Sequence, residues 1–303
     1  MSLGKVFVLI GHPVAHSVSP AIHGAAYRAL GVPHRYELAD CPDEAAVRAV
    51  VERLRRHEIA GANVTVPWKR LALSLADRAE DSARRTAVAN VLALDSNGQV
   101  VAANTDAVAL AEEIAVLHAA PARAVVIGGG GAAQAAVVAC QISGIGEVAV
   151  SSRGWSASEP RERWQKAEVF SALGAAPCTW PDPPGHAASA EFLGAVRRAD
   201  VIIQATSAGM HGAGPGGSVS DWIPWPELTP GAVALDVVYN PPVTPFLEAA
   251  RRANVRHTGG LGMLVRQAAA AIRIWLGSDR AWVAPDLGEL MAAAESALAE
   301  RRK

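Results

Sequence analysis

The chain has 303 residues, 50% of them hydrophobic, 19% charged and 5% aromatic, with a formal net charge of −1. That length is two domains' worth at about 150 residues each and can bury real cores, so a disordered tail and a disulfide-scaffolded peptide are excluded. The near-neutral charge leaves no basic footprint for nucleic acid and no polybasic face for an anionic membrane, and three cysteines (Cys41, Cys140, Cys178) without a CxxC pair suggest neither a disulfide framework nor a zinc site.

Apolar stretches of strand length alternate with longer Ala-rich stretches of helical period, the rhythm of an α/β protein with a parallel sheet. Residues 5–10 read as a first strand. This run is too short to span a membrane and no cleavage site follows it, so a cytoplasmic protein is expected. A helix at 19–30, a strand at 35–39, a helix at 42–57 with an acidic first turn and a strand at 61–66 stopped by Pro67 come next. Segments 87–94 and 99–103 form a hairpin through Ser96-Asn97-Gly98, because Asn-Gly accepts the positive φ of such turns. A helix at 106–118 leads into strand 122–127, where a second domain begins. Its strands continue at 147–151, 201–205 and 232–237, with helices at 132–142, 161–173 and 244–253 and a Pro-, Gly- and Ala-rich surface loop at 177–188. Trp222 and Trp225 flank Pro224 and cap a loop. Two last helices, 262–276 and 287–302, have no strand after them and are expected to pack back on the first domain.

Gly128-Gly129-Gly130-Gly131-Ala132-Ala133 lies between a predicted strand and a predicted helix. In that context small residues let the backbone turn tightly and approach a pyrophosphate, whose charge meets the unpaired N–H groups at the helix start. The alternative is a tight turn that binds nothing, but four consecutive glycines exceed what a turn needs. About 20 residues on, an acidic side chain would hold a ribose 2′-hydroxyl and an arginine a 2′-phosphate. Strand 147–150 ends in Ser151-Ser152-Arg153 with no carboxylate, which favours NADP over NAD.

Three polar clusters stand at the ends of predicted strands in the first domain, where open α/β sheets place their ligands. They are Gly11-His12-Pro13-Val14-Ala15-His16-Ser17-Val18-Ser19-Pro20, then Gly61-Ala62-Asn63-Val64-Thr65-Val66-Pro67-Trp68-Lys69, then Asn104-Thr105-Asp106. At these residues the sequence resembles the shikimate dehydrogenase family, within the shikimate/quinate dehydrogenase superfamily. The resemblance continues through the glycine turn, Ala205-Thr206-Ser207-Ala208-Gly209-Met210, Asp236-Val237-Val238-Tyr239-Asn240-Pro241 and Gly262-Met263-Leu264-Val265-Arg266-Gln267-Ala268.

The resemblance implies two α/β domains with a cleft between them: a substrate-binding and catalytic domain of residues 1–105 plus 261–303, and a Rossmann-like NADP-binding domain of residues 106–260. The implied activity is the reversible, NADP-dependent reduction of 3-dehydroshikimate to shikimate, on the chorismate route to aromatic amino acids. Lys69 and Asp106 match the catalytic pair, and Ser17 and Ser19 the ligands of the substrate carboxylate. Asn63, Thr65, Asn90, Tyr239 and Gln267 match positions that contact the ring hydroxyls or the carboxylate. Gly128, Gly129, Gly130, Gly131, Ala132, Ala133, Ser152, Arg153, Thr206, Met210 and Gly260 match the cofactor site. A small-molecule substrate, a monomer or homodimer, and no nucleic acid, membrane or metal complete the expectation.

Hydride delivery to a ketone builds negative charge on its oxygen, which a nearby ammonium stabilises and can protonate. Lysine occurs only at Lys5, Lys69, Lys166 and Lys303 among 28 basic residues. Arginine would not release a proton, so Lys69 is the basic residue this arginine-rich chain could not freely exchange. Plainer roles exist as well: Lys69 on a helix surface, Asp106 in an acidic first turn, Ser19 as an N-cap before Pro20, and Tyr27 and Tyr36 as core or surface residues. His12, His16 and His23 are interrupted by Pro13 and Pro20 and lack an acidic or cysteine partner nearby, against the spacing of a metal site. Against the family pattern, Gly24 replaces an asparagine, Ala87 and Val91 a glycine and a threonine around Asn90, Gln204 an asparagine, and Gly154 a threonine or serine. These differences leave open a quinate or aminoshikimate dehydrogenase-like paralogue, or a non-catalytic nucleotide-binding regulatory module.

Overall fold

A computed structural model of the chain describes residues 4–155, 164–181, 189–210, 213, 217–277 and 284–301. In chain order the first elements are β1 (Val6–Gly11), α1 (Ser19–Ala29), β2 (Arg35–Asp40), α2 (Glu44–Arg55), β3 (Gly61–Val64), α3 (Lys69–Leu75), β4 (Arg78–Ala79), α4 (Asp81–Thr86), β5 (Val91–Leu94), β6 (Val100–Ala103) and α5 (Asp106–Leu117). Then come β7 (Arg123–Ile127), α6 (Gly131–Ile142), β8 (Glu147–Ser151), α7 (Ala167–Ala172), β9 (Ala176–Cys178), α8 (Ser189–Arg198), β10 (Val201–Gln204), α9 (Gly217–Ser220), β11 (Val233–Asp236), α10 (Pro245–Arg252), β12 (Arg256–Thr258), α11 (Leu261–Leu276) and α12 (Leu287–Glu300). The chain divides into two compact units, one of Met1–Asp106 with Leu264–Lys303 and the other of Ala107–Met263.

Among the described residues, the first unit's sheet has the order β2-β1-β3-β5-β6-β4. β2, β1 and β3 are parallel, and β5 runs antiparallel to both β3 and β6. The β5–β6 hairpin forms as expected: Gly98 has φ +76°, and the Asp95 carboxylate accepts from the N–H groups of Asn97 and Gln99. One face of the sheet packs on α2, which buries Val47, Val50, Val51 and Leu54 at helical spacing. Asp43 caps that helix through Ala46 N, and Arg53 and Arg55 sit at its negative end. On the other face Gly61 leaves room for the Trp275 indole, 2.4 Å from where a Cβ would stand. α12 packs on α1 within this unit, so the chain's last helix does return to the first domain.

The second unit's sheet is β12-β11-β10-β7-β8-β9, with every pair parallel. Numbered from β7, that is the 3-2-1-4-5-6 order of a doubly wound nucleotide-binding fold, with its switch point between β7 and β10. Its central strands β7, β10 and β11 are buried on both faces, as a parallel sheet between helices requires.

Three expectations change. The stretch between Lys69 and Thr86 contains α3, β4 and α4, short elements whose apolar spacing carries too few turns to register. Ser19 is the first helical residue rather than the cap; Val18 takes the cap position without any side-chain bond. The expected surface loop at 177–188 begins inside β9, which pairs with β8 and buries Cys178. The rest of that loop from 182, and residues 161–163 of the expected 161–173 helix, lie outside the described residues; residues 164–166 form a turn with Lys166 in the left-handed region, so the helix starts only at Ala167, as α7.

Candidate active site

In the first unit, β1 has β2 on one side and β3 on the other, so the loops after β1 and β3 leave the sheet at its switch point. Main-chain bonds tie them together: His12 N donates to Val66 O at 3.1 Å, and Thr65 N to Ile10 O at 2.8 Å. Gly11 is required by this approach, since a Cβ there would lie 2.3 Å from Thr65 Cγ2. Val14 N donates to Asp40 Oδ1, and Arg301, just past α12, donates to the carbonyls of Ala15 and Ser17 at 3.3 and 2.9 Å. The loop is therefore held on both sides. It carries Ser17, whose hydroxyl donates to Ser19 Oγ at 3.0 Å and accepts from Ser19 N at 3.2 Å.

Lys69 opens α3 and Asp106 opens α5, and Lys69 Nζ donates to Asp106 Oδ2 at 2.6 Å. The two side chains are 17% and 8% exposed. A pair this buried repays its desolvation only if its other lone pairs are bonded. Asn90 Nδ2 supplies the bond to Asp106 Oδ1 at 2.8 Å, and Asp106 N donates to Asn104 Oδ1 at 2.9 Å. Asn90 is itself fixed, with Nδ2 also donating to Thr105 Oγ1 at 2.9 Å and Oδ1 accepting from Thr105 N at 2.8 Å. Gln267 Oε1 lies 3.4 Å from Asn90 Nδ2, and Asn63 Nδ2 donates to the Asn90 carbonyl at 3.2 Å. Of the first unit's expected site residues, the structure joins Lys69, Asp106, Asn90, Asn63 and Gln267 in one network. Ser17 and Ser19 form a separate pair, and Thr65 stands half-buried four residues before Lys69.

Sequence reasoning missed Tyr36. Its hydroxyl donates to Asn63 Oδ1 at 2.7 Å, and its ring stacks on His23 with centroids 3.8 Å apart and planes 11° from parallel. His23 is fully buried with both ring nitrogens unpartnered, so burial pulls its pKa down to about 3 and leaves it neutral. Burial also raises the Tyr36 phenol well above its ordinary range.

In the second unit the turn after β7 is built from main chain. Gly128 has φ +144°, and a Cβ there would stand 2.7 Å from the Ala205 carbonyl oxygen. A Cβ on Gly129 would stand 2.7 Å from Ser152 Oγ, while one on Gly130 would meet nothing within 4 Å. α6 starts at Gly131 with no side-chain cap, so Gly131, Ala132 and Ala133 present first-turn N–H groups. Arg153 is exposed beyond the end of β8. After β10, Thr206 Oγ1 accepts from Ala208 N, and Met210 is 44% exposed. Tyr239 stands half-buried three residues past the end of β11. Gly260 has a packing reason of its own, because a Cβ would lie 2.1 Å from Val237 O.

Asp236 ends β11 and is fully buried. Its Oδ1 accepts from Val238 N and Gln204 Nε2, and its Oδ2 from Thr244 Oγ1 at 2.6 Å. Burial outweighs these bonds and pushes its pKa up to about 6. Among the described residues, no cluster of three or more His, Cys, Asp or Glu is placed to hold a metal ion.

Residues 9–92 match the family model described as the shikimate dehydrogenase substrate binding domain. The chain is 34% identical over 287 residues to the NADP(+) shikimate dehydrogenase of Rubrobacter xylanophilus, covering 93% of this chain and 92% of the relative. The chain belongs to the shikimate dehydrogenase family. Among solved structures it resembles the shikimate 5-dehydrogenase of Thermus thermophilus in complex with NADP(H) and shikimate, with a TM-score of 0.78, 30% identity and coverage of 97% and 99%. The ligand-free 5-ketofructose reductase of Gluconobacter sp. strain CHM43 is also similar, at TM-score 0.77 and 25% identity, covering 98% of this chain and 99% of that one. The scaffold thus serves more than one named substrate.

Two departures from the shikimate dehydrogenase pattern have a structural account. Ala87 stands at φ +53°, a left-handed position that a glycine would take without strain. Gln204 spans from the Ala208 carbonyl at 3.0 Å to Asp236 at 3.2 Å. Nothing in the structure explains Gly24, Val91 or Gly154.

Proposed function

We propose that this member of the shikimate dehydrogenase family reduces 3-dehydroshikimate to shikimate, reversibly, with NADPH. The observation that carries the reading is the Lys69–Asp106 pair, bonded at both carboxylate oxygens, at the sheet switch point of a chain that aligns with shikimate dehydrogenases over most of its length. The glycine turn fits a dinucleotide: Gly129 and Gly130 leave its surface without side chains, and the α6 start offers N–H groups to a pyrophosphate. Ser152, Arg153, Thr206 and Met210 complete the cofactor residues, with the Arg153 guanidinium matched to a 2′-phosphate. Bound NADPH supplies the hydride.

The remaining chemistry falls to this chain. Lys69 Nζ stabilises the negative charge that develops on the ketone oxygen and delivers the proton. Asp106 holds Lys69 in place, and Asn90 holds Asp106. The Ser17 and Ser19 hydroxyls bind the substrate carboxylate, while Asn63, Thr65, Tyr239 and Gln267 bind hydroxyls or the carboxylate. The substrate residues therefore belong chiefly to the first unit and the cofactor residues to the second. Three free, buried cysteines accord with a reducing compartment such as the cytoplasm; among the described residues no helix is long and apolar enough to cross a membrane.

Nicotinamide absorbance with shikimate or quinate, each with NADP+ or NAD+, tests the reading. Shikimate with NADP+ should give the highest kcat/KM. Quinate must bury an added hydroxyl at a cost of about 1–3 kcal/mol, or roughly five- to 150-fold in efficiency. Arg153→Ala should weaken NADP+ more than NAD+. Equal or higher efficiency with quinate would overturn the substrate assignment.

A further inference from the structure

We infer that Tyr36 is a positioning residue for substrate recognition, its hydroxyl fixing the Asn63 side-chain amide that meets a ring hydroxyl. This rests on the proposed substrate role of Asn63. Tyr36 lies on β2 and Asn63 on β3, with β1 between them; Tyr36 pairs with Phe7, which pairs with Gly61, two residues before Asn63. By strand alternation Tyr36 and Asn63 therefore share one face of the sheet, and the phenol reaches Asn63 at 2.7 Å.

The Asn63 amide is anchored at two points, and chemistry dictates which end goes where. The Asn90 carbonyl can only accept, so it takes an Nδ2–H, at 3.2 Å. The Tyr36 hydroxyl then donates to Oδ1. One Nδ2–H and one Oδ1 lone pair remain, fixed in direction, and together they match a hydroxyl, which both donates and accepts. The Asn90 bond alone is the longer of the two, so without Tyr36 the amide keeps a single weaker anchor and its directions loosen. The His23 ring, stacked on the face of the phenol ring, holds it in place, and the raised phenol pKa keeps it a donor across the working pH range.

The test is a double-mutant cycle of Tyr36→Phe and Asn63→Ala, with KM and kcat for shikimate, KM for NADP+ and Tm measured on each folded protein. Phe keeps the ring and the stack. Tyr36→Phe should raise the shikimate KM about tenfold, the size of one neutral hydrogen bond, with kcat and the NADP+ KM little changed. In an Asn63→Ala background the same change should add nothing. Additive effects, or an unchanged shikimate KM in Tyr36→Phe, would overturn the inference. So would a loss spread equally over kcat, both KM values and Tm, which is the signature of a structural role alone. Turnover of shikimate by the native enzyme checks the underlying reading separately; if the native enzyme oxidised neither shikimate nor quinate, both would fall.

Discussion

The first unit's polar cluster and the second unit's glycine turn both sit where strands end at a switch point, yet they are made of different material. Around Lys69 each side chain is held by another: Asp106 by Lys69 and Asn90, Asn90 by Thr105, Asn63 by Tyr36. Around Gly128 the working groups are main-chain amides, and the sequence requirement is that Cβ atoms be absent. A network of buried side chains is specific, but losing one member strands its partner. A main-chain site is indifferent to side-chain chemistry and intolerant of bulk wherever the backbone already touches something.

The sharpest way to break this contrast is at Lys69. Lys69→Ala should lower turnover about 10²–10⁴-fold, with shikimate affinity by equilibrium titration much less affected, because the ammonium acts chiefly on transition-state charge. A folded variant with near-native turnover would reduce the cluster to a structural ion pair.

Two glycines separate fold from ligand in the second unit. Gly128→Ala forces a side chain into φ +144° and against the Ala205 carbonyl; the backbone strain alone costs about 1–3 kcal/mol, and the collision adds to it. Its Tm should fall clearly even without cofactor. Gly130→Ala meets open space, so its Tm should match the native protein while its NADP+ affinity drops. A Gly130→Ala protein with both values unchanged would show that the turn does not face the cofactor.

The units also bury titratable groups of opposite sign. His23 in the first is held neutral, with its pKa pulled from 6.5 to about 3 by burial. Unfolding lets it protonate, so its stabilising contribution is complete above pH 6.5 and is lost as pH falls from 6.5 toward 3. Asp236 in the second is raised from 3.8 to about 6, so its contribution is complete below 3.8 and lost as pH rises toward 6. Each slope is roughly 1.4 kcal/mol per pH unit, and between about pH 4 and 6 they oppose. Relative to the native protein, His23→Phe should lose Tm as pH rises across that window and Asp236→Asn should gain it. Parallel Tm–pH curves for all three would rule out both assignments.

How much of this was legible in the sequence follows the same division. A glycine requirement is written directly in the residues, so the turn after β7 could be located from Gly128–Gly131, whereas the first unit's switch-point loops were marked by polar clusters at the ends of predicted strands. Lys69 and Asp106 were marked by their motifs and Asn90 by the family resemblance, but their bonding was not, because 37 residues separate Lys69 from Asp106 and 16 separate Asn90 from it. Tyr36 carried no motif, and apolar alternation alone cannot distinguish a packed tyrosine from one that reaches across β1 to bond Asn63. Asp236 looks like any strand-end acid until its three bonds are seen. The short α3, β4 and α4 escaped because one or two turns of helix leave no measurable period.

The smallest effect tests the glycine rule in reverse, in the first unit. Ala87 ends α4 at φ +53° and ψ +23°, three residues before Asn90, where the family pattern has glycine. A left-handed conformation costs an L-residue about 1–2 kcal/mol, and glycine gives back part of that because its unfolded chain has more freedom to lose, roughly 0.5–1 kcal/mol. Ala87→Gly should therefore stabilise the protein by about 0.5 kcal/mol, a rise in Tm of about 1–2 °C. Asn90 is fixed by its own bonds to Thr105 and Asp106 rather than by the α4 end, so kcat and the shikimate KM should not move. A gain in Tm with altered kcat would mean that the strained end of α4 tunes the network around Asn90, and the side-chain cluster would then depend on its backbone as closely as the glycine turn does.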